Sequence, residues 1–228
     1  LTGAATAYWL TNEATAITES QQTIGQLALA PKTLGAYTEL SRQLMMQSTP
    51  AAESLVMNDL AKVLGLAIDL AGLEGPGTGG APTGISATAG IGSVSGTSLG
   101  IAGITEFQTD LASANALTTG CAYLTTPAVA GLLAQRQRFA STDTPLWVGN
   151  ILDGTVAGYR ASTTTQMTAA SAIFGDFSQI VIGEWGMLEI ALNPYAAFAT
   201  AITGIRAIQS VDVGVRQAAA FSRSITIT

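Results

Sequence analysis

Apolar side chains recur at every third and fourth position over one stretch of this chain, and that stretch predicts its best-defined element. Val56, Leu60, Val63, Leu64, Ala67, Ile68 and Ala71 share one helical face, while Ser54, Asn58, Lys62, Gly65 and Asp69 hold the opposite one. Thr49 is placed to cap the helix, and Pro50 takes the first helical position, where a missing N–H is no loss. Glu53 falls in the first turn, where the helix dipole favours an anion, although one place too late for a strict capping box. The pattern predicts an amphipathic helix over 50–71, roughly 33 Å long at 1.5 Å per residue. Gly72, Gly75, Pro76 and Gly77 stop it.

Elsewhere the periodicity is shorter or weaker. Residues 1–30 mix Thr, Ala and Gln with Trp9, Ile17, Ile24, Leu27 and Leu29, which predicts extended structure. From 34 to 40 the pattern is strand-like, and it becomes helix-compatible at Arg42. Gly, Ser, Thr and Pro punctuate 75–103, predicting a loop with short extended pieces and a domain boundary. Ile104, Phe107, Leu111 and Ala114 then recur at helical spacing, followed by a strand candidate at 121–124. A second helix is expected from Thr126 as cap and Pro127 at the first position to about Arg138. After Pro145 the pattern turns to strands, at 146–148, 156–160, 180–182 and 188–192. At the end Val211, Val213 and Val215 alternate with Asp212, Gly214 and Arg216. The class is α+β, with strands outnumbering helices.

Composition narrows the chemistry. The 228 residues suit one or two domains at about 150 residues each. Only 11% are charged, against about 25% in ordinary soluble domains. There is no histidine and a single cysteine, Cys121. Those two facts exclude Ser-His-Asp and Cys-His nucleophile systems, His-bearing zinc sites, His-ligated haem, multi-cysteine clusters and any disulfide within one chain. The apolar fraction of 48% contains 39 alanines and only 14 aromatics, and with 30 threonines it suits thin, closely spaced layers. A net charge of −6, with Lys32 and Lys62 the only lysines, argues against a nonspecific grip on phosphates. No apolar run is long enough to predict a membrane-spanning helix, and residues 1–20 lack the pattern of a signal peptide. The first residue is not Met, which suggests a processed or truncated product.

Few residues remain as candidates for chemistry. GPGTGG at 75–80 matches G-x-G-x-x-G, but a long helix precedes it where a dinucleotide site needs a strand, so a helix-ending loop is the better reading. Glu184 with Glu189, or Asp153 with Asp176, are the carboxylate pairs that a glycosidase would use, and nothing in their spacing singles them out. Cys121 reads as a small buried hydrophobe, and Trp9, Trp147 and Trp185 as packing anchors. No catalytic, cofactor-binding or metal-binding residue is assigned. The composition points instead to surfaces that other chains cover.

Several runs, in order and at matching separations, resemble the major capsid proteins of tailed phages, the family with the Hong Kong 97 phage fold. They are WLTNE at 9–13, LAPKTLGAYTELSRQLM at 29–45 and ESLVMNDLAKVLGLAIDLAGLEGPGTGGAPTGI at 53–85. IFGDFSQIVIG at 173–183, LEI at 188–190, NPY at 193–195 and IRAIQSVDVGVRQAAAF at 205–221 complete the set. The resemblance implies a partial extended loop at 1–30, a peripheral domain at 31–103 and 201–228 whose spine is the helix at 50–71, and an axial domain at 104–200. The N-terminal arm and the ascending half of the extended loop have no counterpart in this stretch. Some members of the family cross-link subunits through a lysine on that loop, whereas 13–20 here holds none. No cross-linking residue is therefore carried over, and noncovalent shells are expected.

The implied function is a structural head protein, not an enzyme, that assembles as hexamers and pentamers into an icosahedral shell around double-stranded DNA. Implied partners are copies of itself, with portal, scaffold and maturation protease during assembly in the bacterial host cytoplasm, and packaged DNA without sequence-specific contact. No membrane partner is implied, and the final location is the virion. An encapsulin-type compartment is the alternative with the same fold, and a His-free carboxylate hydrolase the remote one.

Overall fold

The computed structural model describes residues 5–9, 16, 19–47, 51–139, 141, 144–197 and 202–228. Ten strands and four helices are arranged around two sheets among these residues. The smaller sheet has the order β1 (Lys32–Ser41), β9 (Ile202–Val215), β8 (Ile180–Ala197) and is antiparallel throughout. Its register runs from Lys32 opposite Val211 to Ser41 opposite Ile202, and from Ile180 opposite Val215 to Ala197 opposite Ile202. β1 alternates strictly between half-buried and exposed positions, the mark of a strand covered on one face.

That cover is the long helix. After α1 (Arg42–Gln47), α2 (Ala51–Glu74) lies across the sheet and packs Leu60 and Leu64 onto Ile205 and Ala207 of β9. Leu34, Ala36 and Leu40 from β1, with Leu188 and Ile190 from β8, close the layer. The expected core face is therefore right for Leu60 and Leu64, but Val63 is 48% exposed and lies on the outer flank. The helix also runs on to Glu74 through Gly72, and its last turn closes when the Gly75 N–H donates to the Ala71 carbonyl. The expected cap at Thr49 and Pro50 lies outside the described residues.

The larger sheet has seven strands in the order β2 (Gly92–Ser93), β10 (Phe221–Ser224), β7 (Ala172–Gly175), β3 (Ala122–Thr125), β6 (Tyr159–Thr163), β5 (Asp153–Val156), β4 (Trp147–Gly149). β3 runs parallel to β6 and β10 parallel to β2, and the other neighbours are antiparallel. α3 (Ile101–Ser113) and α4 (Pro127–Gln135) bury Ile104, Phe107, Leu111, Val129 and Leu133 against it. Tyr123 stacks on Phe174 at 4.2 Å between ring centres and meets Phe107 edge-on. Its hydroxyl donates to the Ile104 carbonyl at 3.0 Å. A small third cluster, with Leu73 from the end of α2, Ile85, Ile173 and Phe221, joins the two sheets.

Several expectations need correction. The strand expected at 156–160 is a two-residue hairpin: Val156 pairs with Tyr159, and Ala157 (φ 48°) and Gly158 (φ 90°) form the turn. Positive φ at both positions is the geometry of a type I′ turn, and alanine at the first hides it from a sequence pattern. The pieces at 180–182 and 188–192 are one strand, β8, interrupted by a bulge. β7 lies outside the strands that the pattern predicts. Thr126 occupies the cap position of α4, but its side chain makes no capping bond and its hydroxyl is buried without a partner. α4 ends at Gln135, short of Arg138. The described part of 5–30 contains no strand, only an isolated bridge at Thr23.

Candidate assembly surfaces

Residues 27–32 enter β1 across the face of the small sheet that α2 does not cover, and two glycines make that crossing possible. A side-chain carbon at Gly214 would meet Leu27 and Leu29 at 2.9 Å, and one at Gly183 would meet Leu29 at 3.1 Å. The polar end of the contact is Asp212, on the strand face opposite Val211 and Val213 and only 5% exposed. Its Oδ2 accepts from the Ala30 N–H at 2.9 Å, and its Oδ1 accepts from Lys32 Nζ and the Val213 N–H, each at 3.0 Å. Burial by itself would raise this carboxyl, but the Ala30 N–H, Lys32 and the Val213 N–H outweigh burial and hold it below the ordinary aspartate value. The root of the N-terminal segment is thereby fastened to the sheet.

Beyond this root the surface carries large apolar groups that the chain itself leaves uncovered. On α2, Leu55, Val63, Leu66 and Leu70 face outward. β8, an edge strand, bulges where Gly186, Met187 and Leu188 lie between the pairs Trp185–Ser210 and Glu189–Ile208. Gly186 supplies the positive φ of 81°, and Met187 at the crest is 92% exposed. A second irregularity separates Asn193 from Ala197 and contains Pro194, which an edge strand tolerates because no ladder bond is needed there. Between β1 and α2 lies an apolar notch of about 190 Å³, lined by Leu34, Ala67, Ile68, Ala71, Pro82 and Val211 among others.

Of the residues considered for catalysis, Glu189, Asp153 and Asp176 are engaged by other partners. Glu184 and Glu189 are exposed on β8 with the bulge between them, and Glu189 pairs with Arg206 at 3.3 Å. Asp153 binds Arg160 at 3.1 Å, while Asp176 accepts from the Ser178 N–H at 3.0 Å as a turn cap. The Arg160 partner and the Ser178 turn hold these two carboxyls below the ordinary value. Cys121 is buried, and its sulfur accepts from the Thr118 N–H at 3.4 Å. GPGTGG is a closed loop after α2, in which the Gly77 N–H reaches the Pro82 carbonyl and the Gly84 N–H the Gly75 carbonyl. Among the described residues no group of three or more Asp, Glu or Cys is placed to hold a metal.

Of the tryptophans, Trp147 is a buried anchor that donates from Nε1 to the Asn150 carbonyl at 2.8 Å, and Trp185 is partly open. Trp9 overturns its expectation as a packing anchor, because it is 100% exposed. Sequence reasoning missed Asp212 and the Gly183–Gly214 saddle. The only signal was an acid flanked by valines in a strand, and alternation says which face it takes but not what covers that face.

Comparison with known proteins agrees with this geometry. The chain is 30% identical over 216 residues to the major capsid protein of Halomonas phage phiHAP-1, a match covering 94% of this chain and 35% of that protein's length. Among solved structures, the capsid of the native GTA particle superposes with a TM-score of 0.76 at 20% identity, over 96% of this chain and 80% of that one. A chain from Mycobacterium phage Ogopogo gives 0.66 at 20% identity, over 93% and 82%. The model of the phage capsid family matches residues 1–223, so the chain belongs to that family, and its α+β architecture is the Hong Kong 97-type capsid fold.

Proposed function

We propose that this chain is the shell-forming part of a phage or prophage head protein, assembling with copies of itself as hexamers and pentamers around double-stranded DNA. The observation that carries the reading is the family match over 1–223, together with the match to 94% of this chain in a major capsid protein. The exposed apolar groups of α2 and β8 and the 11% charge support it, since interface cores are depleted of charge and a lone monomer with such a surface tends to associate. In this reading residues 1–30 belong to the extended loop, 31–103 and 201–228 to the peripheral domain and 104–200 to the axial domain. Sheet membership crosses those limits, because β8 pairs with β9 while β10 pairs with β7 on one side and β2 on the other.

The role is structural. Portal, scaffold and maturation protease act as assembly partners in the host cytoplasm, and DNA is enclosed without sequence-specific contact. Electron microscopy of the full-length gene product tests the reading. Shells or rings of five or six subunits are expected, and a monodisperse monomer across protein concentrations would refute it.

A further inference from the structure

Residues 225–228 follow β10 but lie outside its ladder, which ends at Ser224. They cross the loop 94–100 that leads from β2 into α3, and they cross it at a glycine. A side-chain carbon at Gly96 would meet the Ile225 carbonyl oxygen at 2.5 Å and the Ile227 nitrogen at 2.9 Å, so the two backbones lie against each other. Few bonds hold the crossing. The Ile227 N–H donates to the Ala170 carbonyl at 2.8 Å, and the Thr228 N–H to the Gly96 carbonyl at 3.1 Å. Arg136, just beyond α4, closes it: Nη2 donates to the Thr228 carbonyl and Nη1 to the Leu99 carbonyl, each at 2.6 Å. One planar guanidinium thus ties the segment to the loop through two charge-assisted bonds. Ile227 alone of the four residues is buried, at 5% exposed, in the cluster that holds Val94, Leu99 and Leu133.

Backbone strain gathers at the same crossing. Six non-glycine residues among those described have φ between 48° and 67°, and three of them meet here. Thr226, at 58°, lies in the crossing segment itself. Ala170, at 59°, supplies the carbonyl that accepts from Ile227, and Ser98, at 51°, donates its N–H to Thr228 Oγ1 at 3.4 Å. Left-handed backbone suits a β-branched residue least, so Thr226 carries the largest share. Lifting the segment would relieve Thr226 and withdraw one isoleucine from the core. Opening β10 would relieve nothing comparable, because that strand is paired on both sides and buries Phe221 and Ser222. Segments with few buried contacts and few bonds are the ones that open separately from a core.

We propose that residues 225–228 form a strained strap, with Arg136 as its catch, that undocks as a unit while both sheets stay folded. Undocking bares the seat of Ile227 beside Val94 and Leu99 and takes the cover off the loop that enters α3. The chain thereby gains a second local state without losing a strand. The device belongs to the single chain, so it goes beyond the shell reading and does not depend on how copies pack.

Thiol labelling tests it, because Cys121 lies in the same buried cluster as Ile227 and reports on opening of the core. The full-length protein carrying Ile227→Cys is treated with iodoacetamide in native buffer, and labelling at each position is followed by mass spectrometry. The introduced thiol should react at least about a hundredfold faster than Cys121. Gly96 has no positive φ, so Gly96→Ala acts through the contact alone. Added to Ile227→Cys, it should speed labelling at 227 by about tenfold and leave the rate at Cys121 unchanged. Thr226→Asn, which suits left-handed backbone better, should slow labelling at 227. Equal rates at 227 and Cys121 would overturn the proposal, since the strap would then open only with the core. So would a Gly96→Ala variant that raises both rates together, or a Thr226→Asn variant that leaves the rate at 227 unchanged. Should Ile227→Cys fail to fold, hydrogen exchange of the parent protein decides: exchange of 225–228 ahead of β7 supports the strap, and exchange together with β7 overturns it.

Discussion

A carboxylate with three donors on two oxygens cannot be replaced without leaving a donor unmet, which makes Asp212 the sharpest residue-level test of the fastened N-terminal segment. An asparagine would offer one acceptor, and its amide would face either the Ala30 N–H or Lys32 with the Val213 N–H. Asp212→Asn should therefore cost about 1–3 kcal/mol of stability at neutral pH. Because the folded-state pKa is lowered, the stabilisation is complete above the ordinary aspartate value near 4 and is lost as pH falls through the folded value. Thermal melts of wild type and D212N should differ at pH 7 and converge below pH 4. A constant difference across that range would mean that the charge is irrelevant. Ala157 makes the opposite case, since it holds φ 48° in a turn that favours glycine. Ala157→Gly should raise stability by about 1 kcal/mol, read as a higher melting temperature. An unchanged or lower value would show that the turn is not strained. Neither residue was visible to pattern reading, because alternation sees the polarity of Asp212 and Ala157 but not what covers the first or the backbone angle of the second.

At the scale of elements, periodicity located α2 within three residues at its C-terminal end, and α3 by its buried Ile104, Phe107 and Leu111. It failed where burial on two sides or a turn without its usual residues erased the signal. β7 is buried at every position, so it shows no alternation at all. The pattern divides β8 in two because its bulge inserts residues that shift the alternation. α2 itself has two apolar flanks, only one of which faces this chain's core, and paired substitutions should separate them. Leu60, 6% exposed, meets Ile205 and Ala207, and an aspartate there would be buried without a partner. Removing the leucine to alanine already costs about 2–5 kcal/mol, so Leu60→Asp should prevent folding. Leu55, 70% exposed, should accept aspartate with a stability change within about 0.5 kcal/mol. Under the shell reading L55D should yield folded protein of normal circular dichroism and weakened assembly. A folded L60D, or an unfolded L55D, would show that the helix presents the other face.

For the whole molecule, the scarcity of charge and the absence of histidine, which at first only excluded catalysts, become an account of where the surface goes. Three ion pairs are present among the described residues, and two of them are on open surface where such pairs contribute little. The candidate site was legible as a class, because an alanine-rich chain with 11% charged residues and no histidine reads as one covered by other chains. Its location was not, since exposed apolar groups are recognisable only once the core has claimed the others. Contacts between copies made by Leu55, Met187 and Trp9 would be apolar, and apolar contacts differ from ionic ones in how they respond to salt. At 1 M ionic strength the screening length falls to about 3 Å, which removes attraction between exposed charges but leaves hydrophobic burial in place. Assembled particles should keep their sedimentation coefficient from 0.1 to 1 M sodium chloride and dissociate in urea, which solvates apolar and peptide groups. Dissociation at 1 M salt would show that the few charges, rather than the exposed apolar stripes, hold neighbouring subunits together.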